Sequence, residues 1–138
     1  TIPCLYMPEQ DVERRAKYQN KKTLWQDGQE VFKFAVRVMP MATEKVIENA
    51  GVKIEDIKYI IPHQANVRII EGAVKRLGIG MDRVYTTIGK LGNMSSASIP
   101  VAMAEAYKEK CLNKGDHLVL VGFGGGLTWA SALVKWSK

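Results

Sequence analysis

A histidine, an asparagine and a triple glycine each stand where an apolar run gives way to a turn. His63 follows the run Tyr59 to Ile61 and Pro62, in the string Pro62-His63-Gln64-Ala65-Asn66. Asn93 follows the run Val84 to Ile88 and the bridge Gly89-Lys90-Leu91-Gly92, and Gly124-Gly125-Gly126 follows the run Leu118 to Val121. In open α/β sheets, ligands bind outside the carboxyl ends of the strands, so three such ends converging would put these groups in one crevice. A ring N–H of His63 and the amide of Asn93 can both donate to an oxygen on which negative charge develops. One such donor is typically worth roughly 2.7 to 4 kcal/mol in a transition state. Asparagine donates without titrating, and histidine can be tuned near neutral pH. The glycines offer backbone N–H groups with no side chain in the way. They can also be read as a plain tight turn or as a phosphate cradle, although their spacing is neither that of a P-loop nor that of a dinucleotide fingerprint.

The elements that must carry these residues follow from periodicity. Gln29 to Ala50 predicts a helix with Val31, Ala35, Val38, Ala42 and Val46 on its buried stripe. Pro40 cannot donate to the carbonyl four residues back, which predicts a kink or break near Val36 to Met39, and Gly51 is the expected stop. Lys58 to Ile61 reads as a strand. Gln64 to Leu77 reads as a helix with apolar Val67, Ile70, Val74 and Leu77, ending at Gly78. Arg68, Lys75 and Arg76 share its polar side, and Glu71 is placed to pair with Lys75; a solvated face accounts for this pattern as well as a docking surface does. A helix rich in small residues (Ala97, Ala102, Ala104, Ala106) begins near Ser96. Ser95 or Ser96 is the candidate cap and Pro100 falls in the first turn. Two strands, His117 to Val121 and Thr128 to Lys135, flank the glycine turn. Residues 28–138 therefore read as one α/β layer unit. Residues 1–27 read as an irregular basic segment (Arg14, Arg15, Lys17, Lys21, Lys22) draped over a cleft, or a solvated loop. His117 reads as a surface or structural residue.

Composition bounds the function. A chain of 138 residues with 46% apolar content builds one core. The net charge of +6, from 20 basic and 14 acidic side chains, favours an acidic partner. The sequence carries no zinc-finger spacing, RNA-binding aromatic motif or arginine-loaded helix, so nucleic acid is not the expected partner. Cys4 and Cys111 lie far apart without metal-ligand context and read as reduced thiols of a cytosolic protein. No apolar run approaches the roughly 18 residues of a membrane span, and no signal-peptide pattern opens the chain.

Three motifs in order carry a family resemblance: Pro62-His63-Gln64-Ala65-Asn66, Gly92-Asn93-Met94-Ser95-Ser96-Ala97-Ser98, and Gly122-Phe123-Gly124-Gly125-Gly126-Leu127-Thr128-Trp129-Ala130-Ser131-Ala132-Leu133. From Gly28 onward the chain resembles the C-terminal half of β-ketoacyl-[acyl-carrier-protein] synthase III, a thiolase-fold acyltransferase that starts fatty-acid chains. The resemblance implies a mixed sheet with helices packed on it. It also implies a decarboxylative condensation of an acyl-CoA primer with malonyl-acyl carrier protein, without a cofactor or metal, in the cytoplasm. His63 and Asn93 would hold the malonyl thioester carbonyl, and Gly125 would give one backbone donor to the acyl-enzyme oxyanion. Gly28, Phe32, Ala65 and Asn66, the last two one turn into their helix, would line the pantetheine tunnel. Lys33, Gln64, Arg68, Lys75 and Arg76 would dock the acidic carrier protein. The other partners implied are the N-terminal half of the same enzyme and a second copy in a homodimer, with no nucleic acid and no membrane.

The family nucleophile is a cysteine at a helix N-terminus in a small-residue context, and nothing here matches it. Cys4 sits in the irregular segment and Cys111 closes a helix, where the dipole opposes a thiolate. The expectation is a chain that carries the decarboxylation pair without the nucleophile and is inactive alone. The other readings are a half that only binds or dimerises, or a relative that makes secondary metabolites. A thiolase half resembles β-α-β-α-β-α-β-β with its first strand central, and only four strands are legible here. That implies an empty interior lane between Lys58–Ile61 and His117–Val121, filled from outside residues 1–138, because unpaired interior strand edges are rarely tolerated.

Overall fold

The computed structural model describes residues 5–6 and 25–138, with side chains from Gln26 onward. A two-residue ladder pairs β1 (Leu5–Tyr6) antiparallel with β2 (Trp25–Gln26). Cys4 and the basic run from Arg14 to Lys22 lie outside the described residues, so the draped-segment expectation is untouched by the structure.

Helix α1 (Gly28–Ala50) starts where the Asp27 carboxylate accepts from the N–H groups of Gln29 and Glu30, both at 3.1 Å. It stops at Gly51, whose φ of 66° only glycine adopts freely. Of the kink or break expected near Val36 to Met39, the break does not occur. Pro40 is buried, and the helix runs continuously through it with Val36, Val38, Met39, Ala42, Thr43 and Ile47 buried around it. Packing on the sheet on both sides of the proline outweighs the one lost backbone hydrogen bond. Val46 is only partly buried against the core.

Strand β3 (Ile57–Pro62) pairs in parallel with β4 (His117–Gly124), which pairs antiparallel with β5 (Thr128–Lys135), in the order β3-β4-β5. The expected empty lane is therefore corrected. Ile60, Ile61 and Pro62 sit directly opposite Val119, Leu120 and Val121, with nothing between them. The expected strand over Val84–Ile88 is corrected as well. It reduces to a single bridge of Val84 to Ile60 on the outer edge of β3, with Tyr85 N–H donating to the Ile60 carbonyl at 3.0 Å. One turn of helix, α3 (Ile88–Leu91), follows.

Alternation divides the core in two. Ile57, Ile60, Val119 and Val121 face α1 and helix α2 (Val67–Leu77), whose Ile69, Ile70, Ala73 and Val74 are buried. A register irregularity between Ile57 and Tyr59 lets Ile57 and Ile60 share that face despite their odd spacing. Ile61 and Leu118 face the other way, onto Ala102 and Ala106 of helix α4 (Ser98–Lys108), where small side chains permit close approach. Gly72 does the same on α2: a Cβ there would meet Val36 Cγ2 at 3.0 Å. Val67, expected in the apolar stripe, is 46% exposed instead, because α2 starts at that residue and turns it outward. Neither Ser95 nor Ser96 caps α4: both lie in the 3-10 turn Ser95–Ala97 that leads into it.

Candidate functional site

Just past the end of β3, His63 N–H donates to the Val121 carbonyl at 2.8 Å, which extends the parallel ladder by one residue. The chain then turns, with Ala65 N–H donating to His63 O at 2.9 Å. Asn66 is the N-cap of α2, extended at φ −161°, and its Oδ1 accepts from Arg68 N–H at 2.8 Å. The helix thus begins later than its sequence pattern suggests. Asn66 stands at the mouth of the helix rather than one turn into it, which corrects the earlier placement.

Gln64 is wholly buried. Its Oε1 accepts from Thr87 N–H at 2.9 Å and Ile88 N–H at 3.1 Å, and its Nε2 donates to Pro62 O at 2.8 Å. A fully enclosed side chain cannot touch a docking protein, so its expected carrier-protein role is corrected to an internal one. Gln64 ties the His63 junction to the segment that delivers Asn93. It also explains the missing fourth strand: the amides at Thr87 and Ile88 bond to a side chain instead of a neighbouring backbone.

Asn93 follows Gly92, which takes φ 68° to end α3. Asn93 Oδ1 accepts from Ser95 N–H at 2.9 Å. With that oxygen taken, the amide Nδ2, a pure donor, is what remains available. The β4–β5 turn holds Gly125, whose carbonyl accepts from Thr128 Oγ1 at 2.9 Å. Next to it, Gly126 has φ 136°, and a Cβ there would meet Thr128 Cγ2 at 2.7 Å, so only glycine fits.

These residues share one cavity of about 950 Å³, lined among others by Gly28, Phe32, His63, Ala65, Asn66, Asn93, Ser98 and Gly125. The seven predicted site residues of the crevice are all there. No charged side chain is among its described lining residues. His63 is half-buried against the edge of Phe123, with ring centroids 5.5 Å apart, and burial pushes its pKa below the ordinary 6.5. The ring is therefore neutral at neutral pH.

The basic residues are separate from the cavity floor. Arg68, Lys75 and Arg76 are all exposed on α2, Arg68 near the cavity and the other two about 10 Å further along at 1.5 Å rise per residue. The expected Glu71–Lys75 ion pair is not among the salt bridges of the described residues. Lys33 is exposed but bonded to Glu30 at 2.8 Å, which raises its pKa. Cys111 lies in the turn after α4, and its thiol points to the Glu109 carbonyl at 3.7 Å, away from the cavity lining. Sequence reasoning missed Ser98, which is fully buried with Oγ 2.7 Å from His63 Nδ1. Its residue type gave no signal, since a serine at a helix start normally reads as a cap.

Comparison with known proteins bears on this site. The family described as 3-oxoacyl-[acyl-carrier-protein (ACP)] synthase III C terminal matches residues 47–136. A β-ketoacyl-[acyl-carrier-protein] synthase III of Caldanaerobacter subterraneus subsp. tengcongensis is 50% identical over 97% of this chain and 42% of its own length. The crystal structure of the Thermus thermophilus synthase III superposes with a TM-score of 0.82 at 51% identity, over 85% of this chain and 36% of that one. The Pseudomonas aeruginosa 3-oxoacyl-(acyl carrier protein) synthase III superposes with a TM-score of 0.85 at 35% identity, over 98% and 40%. The chain thus spans about two fifths of the length of these relatives.

Proposed function

The chain belongs to the 3-oxoacyl-[acyl-carrier-protein] synthase III family, whose C-terminal part it matches, and from that premise we propose that its cavity is the decarboxylation site of a condensing enzyme. The reaction is a decarboxylative Claisen condensation of an acyl-CoA primer with malonyl-acyl carrier protein. The malonyl thioester loses carbon dioxide, and the electron pair of the broken C–C bond passes into a thioester enolate. The enolate carbon then attacks an acyl group held as a thioester on a cysteine of the N-terminal half, and that cysteine leaves as a thiolate. No cofactor is needed.

A ring N–H of His63 and the Nδ2 amide of Asn93 hold the thioester oxygen as charge builds on it. The backbone N–H of Gly125 serves the oxyanion of the acyl-enzyme step. Gly28, Phe32, Ala65 and Asn66 form the wall along which the pantetheine arm lies. Arg68, Lys75 and Arg76, joined by Lys33, meet the acidic carrier protein outside. The same reading makes the protein a cytoplasmic homodimer; no helix of the described residues is long and apolar enough to cross a membrane.

The observation that carries this reading is that His63 and Asn93, brought in by different elements, line one cavity whose described walls hold no charged side chain. Its test is Asn93→Ala in the full-length protein. Malonyl-acyl carrier protein decarboxylation should fall about a hundredfold or more, as for loss of one oxyanion donor, while acylation by the primer stays near the parent rate. Equal loss of both half-reactions would remove the assignment of Asn93 to the second substrate.

A further inference from the structure

His63 has two ring nitrogens, and only one has a partner among the described residues. Nδ1 lies 2.7 Å from Ser98 Oγ. Ser98 is completely buried at the first position of α4, and the backbone N–H of Gln64 donates to the same Oγ at 3.3 Å. A serine hydroxyl has one proton and two lone pairs. If Oγ accepted from a protonated Nδ1 as well as from Gln64, its own proton would point at no described acceptor, and a buried unpaired donor is costly. If Oγ–H donates to a bare Nδ1, all three groups are satisfied at once. We propose that Ser98 is a positioning residue that holds His63 as the Nε2–H tautomer and aims that one N–H into the cavity.

The groups that face His63 from the packed elements do not compete for this role. Phe123 packs on the ring and Gly122 lies beside its Cβ, and no described lining residue of the cavity other than His63 carries a titratable side chain. With burial keeping the ring neutral, Nε2–H is a donor at neutral pH and Nδ1 an acceptor. A freely exchanging imidazole would spend part of its time with a lone pair facing the cavity, where it would repel a developing oxyanion. The catalytic consequence rests on the condensing-enzyme reading; the tautomer does not.

The experiment is ¹H–¹⁵N correlation on full-length protein labelled with [¹⁵N]histidine, with the His63 signals assigned by their loss in His63→Gln. The expected parent spectrum shows a neutral ring protonated on Nε2 with Nδ1 accepting a hydrogen bond. In Ser98→Ala both nitrogen resonances should move toward tautomer averaging, and malonyl decarboxylation should lose on the order of tenfold in kcat with little change in KM. Ser98→Thr, which keeps the hydroxyl, should restore both. A parent ring protonated on Nδ1 overturns the proposal without any variant, and so do resonances that stay put in Ser98→Ala. A parent protein that does not decarboxylate malonyl thioesters, yet shows the locked tautomer, would sink the condensing-enzyme reading and leave the role of Ser98 standing.

Discussion

Replacing Gln64 by glutamate changes one atom's protonation chemistry and almost nothing in shape. As a neutral acid, the new side chain reproduces the native bonds: its carbonyl oxygen accepts from Thr87 and Ile88 N–H, and its hydroxyl donates to the Pro62 carbonyl, the partner Gln64 Nε2 holds at 2.8 Å. As a carboxylate it would set a charged oxygen against that carbonyl in a wholly buried place. The native state therefore keeps a proton that the unfolded chain releases above a pH of about 4.3. Stability relative to the parent falls as pH rises, because the native state binds more protons. At about 1.36 kcal/mol per pH unit, the penalty is about 1 kcal/mol at pH 5 and about 4 kcal/mol at pH 7.5, if the native carboxyl stays protonated throughout. Urea unfolding of parent and Gln64→Glu at the two pH values measures it. Hydrogen exchange of the Thr87 and Ile88 amides should quicken at pH 7.5 and stay near parental at pH 5. A penalty that is the same at both pH values would refute the internal role assigned to Gln64.

Arg68→Glu, on the α2 turn nearest the cavity, should weaken use of malonyl-acyl carrier protein several-fold at low salt and flatten its salt dependence. A short malonyl pantetheine thioester should be turned over as by the parent, and parallel losses on both substrates would assign the arginine a structural role. For His63, burial places the native pKa below the 6.5 of the unfolded ring, so its contribution to stability is present above pH 6.5 and is lost as pH falls below it. The parent should therefore lose more stability than His63→Gln across that acid window; equal slopes in unfolding measurements would contradict the burial argument.

Periodicity made legible what periodicity governs. The stripe Val31, Ala35, Val38, Ala42 along α1 is buried as its spacing implied, and β4 and β5 lie where their apolar runs ended at the glycine turn. What stayed hidden depends on partners far away in sequence. Val84 to Ile88 is composed like a strand, yet its amides at 87 and 88 bond to Gln64. Gln64 itself reads as surface because polar residues after a turn usually are, and its burial follows from two N–H groups more than twenty positions on. Strand order is equally non-local: only the register Ile61↔Leu120 shows that β3 and β4 are direct neighbours. His63, Asn93 and Gly125 are legible because each ends an apolar run and stands in or beside a motif, whereas Ser98 stands inside a motif without chemistry that marks it, and only its contact with His63 shows its place.

The polar groups around the cavity share a construction. Asn93 Oδ1 is held by Ser95 N–H, Asn66 Oδ1 by Arg68 N–H, and the Gly125 carbonyl by the Thr128 hydroxyl. With His63 Nδ1 on Ser98, each of these four acceptors has a local partner, which leaves the Asn93 Nδ2 amide and the second ring nitrogen of His63 to face a ligand. On the proposed reaction this matters for rate and not only for binding. In the bound malonyl thioester the negative charge sits on the departing carboxylate; in the transition state it has moved toward the thioester oxygen. A lysine or arginine in the cavity would hold the carboxylate and deepen the ground state, which lowers KM without raising kcat. Neutral donors grouped at the oxygen, with no cation among the described lining residues, interact weakly with the start of that charge movement and strongly with its end. The difference between those two interactions is what accelerates the step.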